Sequence, residues 1–240
     1  MSTDQLYAAP RQHLDQFTFD EQVAAVFPDM IQRSVPGYTA ILHMLRLITT
    51  TYAQPHSQLY DLGCSLGAAS LAMAQGLTQP GCRIIAVDNA AAMLARAKSA
   101  LATQSVPMEF IHADVQTQPV HNASLVVLNF TLQFIPIAAR TEVLRKIRQG
   151  LRPGGVLVLS EKIAGPDTAQ DTELQRLHHA YKRANAYSEL EISQKRTALE
   201  KVLLPETQAT HVQRLQAAGF RQITQWYQQC NFVSWIAHIC

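Results

Sequence analysis

Short apolar runs alternate with helical stretches through the middle of the chain, and this alternation constrains the fold more than any other sequence feature. The apolar runs at residues 84–87 and 124–128 are typical, and each is followed by a segment with apolar residues at helical spacing. Repeated strand–helix–strand units predict a parallel sheet with helices on both faces. We therefore expect an α/β fold with a mostly parallel central sheet.

The N-terminal part is predicted to add helices to this sheet. Residues 1–18 form a polar arm without obvious structure. From about residue 19 to 53 the pattern is mostly helical, and we expect interruptions at Pro28 and at the turn pair Pro36–Gly37.

The C-terminal part departs from a plain α/β layout. A helical insertion is predicted at about residues 167–205, and a further helix at 209–218 is closed by Gly219. Residues 220–227 and 232–239 predict an antiparallel pair of strands at the sheet edge. Because no linker or repeat divides the chain, we expect residues 1–240 to form a single domain.

Charge and composition exclude several classes of protein. The formal net charge is only +2, which argues against a dedicated nucleic-acid binder. No segment approaches the roughly 20 apolar residues that span a membrane, and the start lacks the apolar core of a signal peptide. The four cysteines have no spacing typical of a zinc site or redox pair. We expect a cytoplasmic protein without metal, membrane or direct nucleic-acid binding.

The strongest local motif is the loop D-L-G-C-S-L-G at residues 61–67, between an apolar strand and a helix. Glycine lets the backbone approach a ligand closely, and the helix start offers free N–H groups. Gly63, Cys64 and Ser65 are therefore candidate binding residues. Many loops of this kind only connect two elements, so the motif alone leaves both interpretations open.

An acidic residue follows at the end of the next strand. Asp88 lies about 20 residues beyond the loop, where a carboxylate can accept both hydroxyls of a ribose. Asn89 precedes an Ala-rich helix and is a candidate both for the ligand site and for the helix N-cap. Together with the loop, these residues indicate a nucleoside-containing cofactor.

Polar residues also follow the third and fourth predicted strands. Asp114, with Val115 beside it, is placed to meet the amine of an adenine, although such an aspartate is more often a turn residue. Asn129 lies at the same predicted edge, and the alternative is a buried asparagine that satisfies backbone groups. Residues 151–155 predict a sharp structural turn into the fifth strand.

This ordered set of motifs resembles class I S-adenosyl-L-methionine-dependent methyltransferases from about Leu59 to Lys162. The likeness lies in D-L-G-x-x-x-G, Asp88, Asp114 and the late P-G-G turn, and it departs at Ser65, where many members have glycine. It implies a Rossmann-like fold that binds S-adenosyl-L-methionine. The loop is not G-x-G-x-x-G, which weakens the alternative of a dehydrogenase.

Longer motifs narrow the resemblance to the carboxy-S-adenosyl-L-methionine synthase family over nearly the whole chain. One departure is Ala90, where a serine is expected. The chain is similar to that family at residues 27–38, 60–70, 126–134, 159–162 and 187–196.

The resemblance implies carboxyl transfer. Prephenate would lose carbon dioxide and its ring hydroxyl to become phenylpyruvate, and the deprotonated sulfonium methyl carbon would trap the carbon dioxide, giving carboxy-S-adenosyl-L-methionine. The resemblance places Tyr38 at the ligand and gives Arg196 a catalytic role, recognition of the added carboxylate. It also implies a homodimer whose product a separate tRNA carboxymethyltransferase uses for 5-oxyacetyl modification of wobble uridine.

The residues around Arg196 leave its role open. Ser188 and Glu191 match a capping box, which predicts a helix from about Glu189. On that helix Arg196 lies at the edge of an apolar stripe, where an arginine usually extends into water. A desolvated arginine instead suits a bidentate pair with a carboxylate.

Two other functions fit the sequence. An ordinary methyltransferase acting on a small molecule or tRNA agrees equally well with the motifs up to Lys162. A non-enzymatic S-adenosyl-L-methionine-binding protein would bind the compound without turnover. Whether prephenate changes the bound S-adenosyl-L-methionine discriminates among the three.

Overall fold

Eight strands form the centre of the protein, which a computed structural model describes over residues 3–11 and 13–239. Their order across the sheet is β3-β2-β1-β4-β5-β8-β7, and the short β6 pairs with the end of β5. The strands are β1 (Gln58–Leu62), β2 (Arg83–Asp88), β3 (Met108–His112), β4 (Ala123–Asn129), β5 (Leu151–Ala164), β6 (Glu206–Thr207), β7 (Gln222–Gln229) and β8 (Phe232–His238).

Helices precede the sheet, connect its strands and fill the predicted insertion. Two of them, α6 and α7, occupy the region predicted at residues 167–205. The helices are α1 (Glu21–Ser34), α2 (Tyr38–Tyr52), α3 (Ala68–Gly76), α4 (Ala91–Ala100), α5 (Ile137–Gly150), α6 (Thr168–Ala184), α7 (Glu189–Leu199) and α8 (Gln208–Ala217).

The parallel strands bring their carboxyl ends to the same edge of the sheet. β1 to β5 pair in parallel, whereas β8 runs antiparallel to β5 and β7 antiparallel to β8. The predicted α/β class and the antiparallel pair at the edge are confirmed. The order reverses at β1, because β2 lies on one side of it and β4 on the other. Ligands of open α/β sheets bind at the carboxyl ends of the strands at such a point.

Burial on both faces explains why the central strands are almost continuously apolar. Leu125 and Val127 of β4 pack into the cluster on one face, and Val126 and Leu128 into the cluster on the other. Because strand side chains alternate between faces, a strand covered twice needs apolar residues at every position.

Pro28 does not interrupt the first helix, contrary to the sequence prediction. Helix α1 continues through it and buries Val23, Val26 and Met30. Proline lacks an N–H and therefore leaves the carbonyl of Ala24 without its helical partner. The burial of the helix face outweighs this local cost. The predicted break at Pro36–Gly37 does occur, between α1 and α2.

The N-terminal arm packs in a way that its polar sequence did not indicate. Residues 3–11 form no regular helix or strand, but Asp4 is only 2% exposed. Its backbone N–H donates to Asp29 Oδ2 at 2.7 Å, and Tyr187 donates its hydroxyl hydrogen to Asp4 Oδ2. The arm is therefore fastened to both α1 and the segment before α7.

The turn predicted at residues 151–155 lies within β5 as an irregularity. Ala123 is paired with Leu151, but Leu125 is paired with Val156, so β5 advances further than β4 between these pairs. Gly154 has a φ of 76°, a conformation that suits glycine. The turn thus shifts the register without ending the strand.

Replacing Ser188 with alanine is expected to lower the free energy of unfolding by about 1 kcal/mol. Ser188 and Glu191 form the predicted capping box at the start of α7, with the Ser188 backbone N–H donating to Glu191 Oε2 at 2.8 Å. Loss of the hydroxyl leaves the Glu191 N–H without its acceptor. Urea unfolding measures the change. Ser193→Ala, an exposed substitution in the same helix, is the control, and an equal loss in both variants would contradict the capping role.

Candidate functional site

A cavity of about 260 Å³ lies at the carboxyl ends of the parallel strands. The predicted site residues converge there, although they come from distant parts of the sequence. Arg196 is the exception, because its side chain is exposed and does not line the cavity. The predicted residues that line it are Tyr38, Gly63, Cys64, Ser65, Asp88, Asn89, Asp114, Val115 and Asn129.

The loop after β1 has a backbone shape that requires glycine at its first turn. Gly63 has a φ of 81°, and a Cβ there would lie 2.4 Å from the Thr131 side chain. The N–H groups of Gly63 and Cys64 donate to the carbonyl of Val87 at 2.8 and 2.9 Å. The loop is therefore held against the end of β2, with its backbone along the cavity wall.

Asp88 joins this loop to the start of α4. Its Oδ2 accepts the N–H of Ser65 at 2.7 Å, and its Oδ1 accepts the N–H of Ala90 at 2.8 Å. Burial raises the pKa of Asp88, while these backbone hydrogen bonds act to lower it. Each carboxylate oxygen has a second lone pair, so Asp88 can also accept from a ligand.

Asn89 does not cap the following helix, contrary to one of its two predicted roles. The N-cap position of α4 is Ala90, which has no side-chain cap. The Asp88 carboxylate instead supplies the acceptor at the helix start. Asn89 is exposed and lines the cavity, consistent with its other predicted role.

Two buried oxygen atoms beside the loop have no hydrogen-bond partner among the described residues. They are Asp61 Oδ1 and Asn129 Oδ1. Asp61 is 1% exposed, its Oδ2 accepts the Ser70 hydroxyl at 2.6 Å, and burial raises its pKa to about 6. A buried acceptor without a donor is costly, so both atoms point to a ligand that supplies N–H or O–H groups.

Asp114 has the turn role that was one of its two predicted roles, and its position leaves the ligand role open. Its Oδ1 accepts the backbone N–H of Gln116 at 2.7 Å, which makes it a turn residue, and it also lines the cavity. Sequence reasoning missed Gln116, whose side-chain amide donates to the same carboxylate at 3.1 Å.

Several aromatic side chains line the cavity. Of these, only Tyr38 was predicted to lie at the ligand. Phe19 stands edge-on to Phe17 at 5.1 Å between ring centroids and to Phe134 at 5.4 Å. Tyr38 approaches Phe130 at 6.5 Å. These rings line the cavity from the segment before α1, from α2 and from the segment after β4, and they make this part of its wall apolar.

Three lysines that line the cavity were also missed. They are Lys162 of β5, Lys182 of α6 and Lys195 of α7, and His178 lies with them. Burial, together with the positive charges of Lys195 and Lys162, lowers the pKa of Lys182 to about 7. Burial also lowers the pKa of Lys195 to about 8, although the Asp4 carboxylate acts to raise it. The sequence signal was weak, because helical spacing alone does not show which lysines face inward.

Neither a metal cluster nor a membrane helix is found in residues 3–11 and 13–239. No group of three or more His, Cys, Asp or Glu side chains there is arranged to hold a metal ion. No helix in that part combines the length and the apolar character needed to cross a bilayer.

Curated relatives are similar to the chain over nearly their whole length. A protein of Geobacter metallireducens is 58% identical over 238 residues, which are 98% of each chain. One of Marinobacter nauticus is 53% identical over 98% of this chain and 94% of its own, and one of Vibrio cholerae is 51% identical over 98% and 96%. All three are named carboxy-S-adenosyl-L-methionine synthase.

A family model and solved structures agree with the fold. Residues 59–155 match a model described as a methyltransferase domain. Human N-acetylserotonin methyltransferase aligns with a TM-score of 0.64 at 16% identity, over 91% of this chain and 55% of its own. A Leishmania major S-adenosyl-L-methionine-dependent methyltransferase aligns with a TM-score of 0.58 at 16% identity, over 92% and 78%. These structures show a common fold.

Proposed function

The chain belongs to the carboxy-S-adenosyl-L-methionine synthase family, and from this we propose that it makes carboxy-S-adenosyl-L-methionine by using prephenate as the carboxyl donor. The family establishes the enzyme and S-adenosyl-L-methionine as its substrate.

The unpartnered oxygen atoms beside the Gly63 loop support the placement of S-adenosyl-L-methionine. Asp61 Oδ1 and Asn129 Oδ1 are available to its ammonium group, the donor at the methionine end. Asp88 would accept the ribose hydroxyls. The remaining cavity residues would surround the two ends of the molecule, with Asp114, Val115 and Asn89 near the adenine and Tyr38, Gly63, Cys64 and Ser65 near the methionine.

The proposed reaction balances without a protein base. Prephenate breaks the bond to its ring carboxylate, releasing carbon dioxide, and the electron pair expels the ring hydroxyl as hydroxide, leaving phenylpyruvate. The hydroxide takes a proton from the sulfonium methyl group and becomes water. The methyl carbon then forms a bond to carbon dioxide. Because water would reprotonate that carbon, the aromatic rings of Phe17, Phe19 and Phe134 in the cavity wall would favour capture by making the wall apolar.

Arg196 is proposed to bind the carboxylate added to the product. Its side chain is exposed on α7, next in sequence to the cavity residue Lys195. It would reach the product either by movement of its own side chain or from the partner subunit of the proposed homodimer. A guanidinium suits this role because it can donate two parallel hydrogen bonds to a carboxylate.

We also propose a cytoplasmic role in supplying a separate tRNA carboxymethyltransferase that modifies wobble uridine. A net charge of +2 supports the assignment of tRNA binding to that partner. The synthase itself would then handle only small molecules.

Incubation with S-adenosyl-L-methionine and prephenate is expected to yield carboxy-S-adenosyl-L-methionine and phenylpyruvate in equal amounts, detected by mass spectrometry. Arg196→Ala is expected to lower product formation by about 10-fold or more, because a charged hydrogen-bonded pair is lost. Arg176→Ala, at an exposed arginine of α6, is the control. Binding of S-adenosyl-L-methionine without its conversion would reject prephenate as donor and favour a methyltransferase.

A further inference from the structure

Three lysines from separate elements meet on one wall of the cavity. We call Lys162, Lys182 and Lys195 the lysine recess. The side chains of Lys182 and Lys195 are buried, with residue exposures of 8% and 5%. Lysine is rarely buried to this extent unless a partner neutralises it, so the recess requires an explanation beyond ordinary packing.

Among the residues that the structure describes, only one carboxylate, that of Asp4, forms an ion pair with a lysine of this recess. Lys195 Nζ lies 3.6 Å from Asp4 Oδ2 and donates to the Ser34 hydroxyl at 3.2 Å. Within residues 3–11 and 13–239, neither Lys162 nor Lys182 forms an ion pair with a carboxylate. Asp171 favours the charged form of Lys162, and Glu191 favours that of Lys195, each from outside ion-pair distance.

His178, which lies beside these lysines, does not change the charge of the recess. His178 lines the same wall, and its Nε2 lies 2.7 Å from the Ser34 carbonyl oxygen. Burial and the neighbouring lysines lower the pKa of His178 far below neutrality, so it is an uncharged neighbour. The recess therefore has more cationic groups than ion-paired carboxylates, and a bound anion would favour the charged forms of its lysines.

The position of the recess indicates which anion fits. It shares one cavity with Asp88 and the Gly63 loop, and aromatic rings also line that cavity. An anion bound there would lie beside S-adenosyl-L-methionine and could place an apolar ring against the phenylalanines. A carboxylate on a ring-containing molecule has this combination of charge and shape.

We propose that the lysine recess binds the side-chain carboxylate of the carboxyl donor, the carboxylate that stays on the molecule after the reaction. This inference rests on the proposed function for the identity of the donor. The ring carboxylate must lose its charge when it leaves as carbon dioxide, so cations bound to it would stabilise the substrate more than the transition state. The retained carboxylate keeps its charge throughout, and lysines bound there would orient the donor without opposing the chemistry.

One consequence is that the by-product should also bind the recess. Phenylpyruvate keeps the side-chain carboxylate and an apolar ring, but it has no carboxyl group to transfer. It therefore reports on the recess without turnover. Its binding can be measured even if prephenate proves not to be the donor.

The test is isothermal titration of phenylpyruvate into protein loaded with sinefungin, an unreactive analogue of S-adenosyl-L-methionine. In Lys182→Gln, we expect the Kd for phenylpyruvate to rise by about 10-fold or more, because a charge-assisted hydrogen bond is lost. Lys182→Arg should keep much of the affinity. Lys98→Gln, at an exposed lysine of α4 outside the cavity, should match the unaltered protein.

A second substitution, on a different element, distinguishes the loss of a lysine contact from local misfolding around Lys182. Lys162→Gln alters the recess from β5, and it should weaken phenylpyruvate binding while leaving the Kd for sinefungin within about twofold. Unchanged phenylpyruvate affinity in both glutamine variants would overturn the proposal. Equal weakening in Lys98→Gln would also overturn it. If the unaltered protein binds phenylpyruvate through the lysines but does not convert prephenate, only the proposed donor is rejected.

Discussion

An Asp88→Asn variant is expected to bind S-adenosyl-L-methionine roughly 100-fold more weakly than the unaltered protein. The carboxylate of Asp88 accepts backbone hydrogen bonds from Ser65 and Ala90 and is proposed to accept the ribose hydroxyls as well. Asparagine has only one acceptor oxygen. Because each carboxylate oxygen accepts a backbone N–H, the amide nitrogen would face one of these N–H groups and leave a buried donor without an acceptor.

Isothermal titration with S-adenosyl-L-methionine measures this loss. Glu109→Gln, the same exchange of carboxylate for amide at an exposed position of β3, is the control and should leave the Kd unchanged. Thermal melting without ligand separates weaker binding from loss of the fold. A folded Asp88→Asn protein with unaltered affinity would show that the ribose does not depend on this carboxylate.

Arg140→Met is expected to lower the free energy of unfolding by about 3–5 kcal/mol, the usual cost of breaking a buried ion pair. Arg140 is fully buried and forms an ion pair with Glu206. It also donates to the carbonyl oxygens of Ile135 at 2.9 Å, Gln133 at 3.0 Å and Leu204 at 2.9 Å. Methionine can fill much of the volume, but it leaves those acceptors unpaired.

The melting temperature should fall by roughly 6–20 °C for a chain of this size. Arg145→Met removes an arginine from the same helix, but that arginine and its partner Glu142 are both exposed. Such surface pairs contribute roughly 0–1 kcal/mol, so this control should melt within a few degrees of the unaltered protein. Equal melting of the two variants would show that the Arg140 contacts contribute little net stability.

The elements of the sheet were predictable because each depends on local pattern. Continuous apolar runs predicted the buried strands, and the spacing of Ser188 and Glu191 predicted the start of α7. Asp88 was also accessible from sequence, since it lies at a fixed distance beyond the loop of residues 61–67. Pro28 was misjudged, because a local rule about proline takes no account of the burial of the surrounding helix face.

The cationic wall of the site could not be predicted in the same way. Lys162, Lys182 and Lys195 belong to three elements, and only the packing of α6 and α7 over the sheet brings them to one cavity. Each lysine alone resembles a solvated surface residue. Asp61 was missed for a related reason, because its unpartnered oxygen is recognisable only when its neighbours are known.

The fastening of the arm has a consequence for the newly made chain. Asp4 meets Tyr187 across a separation of 183 residues. A ribosome adds about 5–20 residues per second. Roughly 10–40 s therefore pass between the synthesis of Asp4 and that of Tyr187. Throughout that interval the arm, with its apolar Tyr7 and Phe17, is accessible to chaperones and proteases. The arm is thus fastened to the segment before α7 only after β1 to β5 have been made.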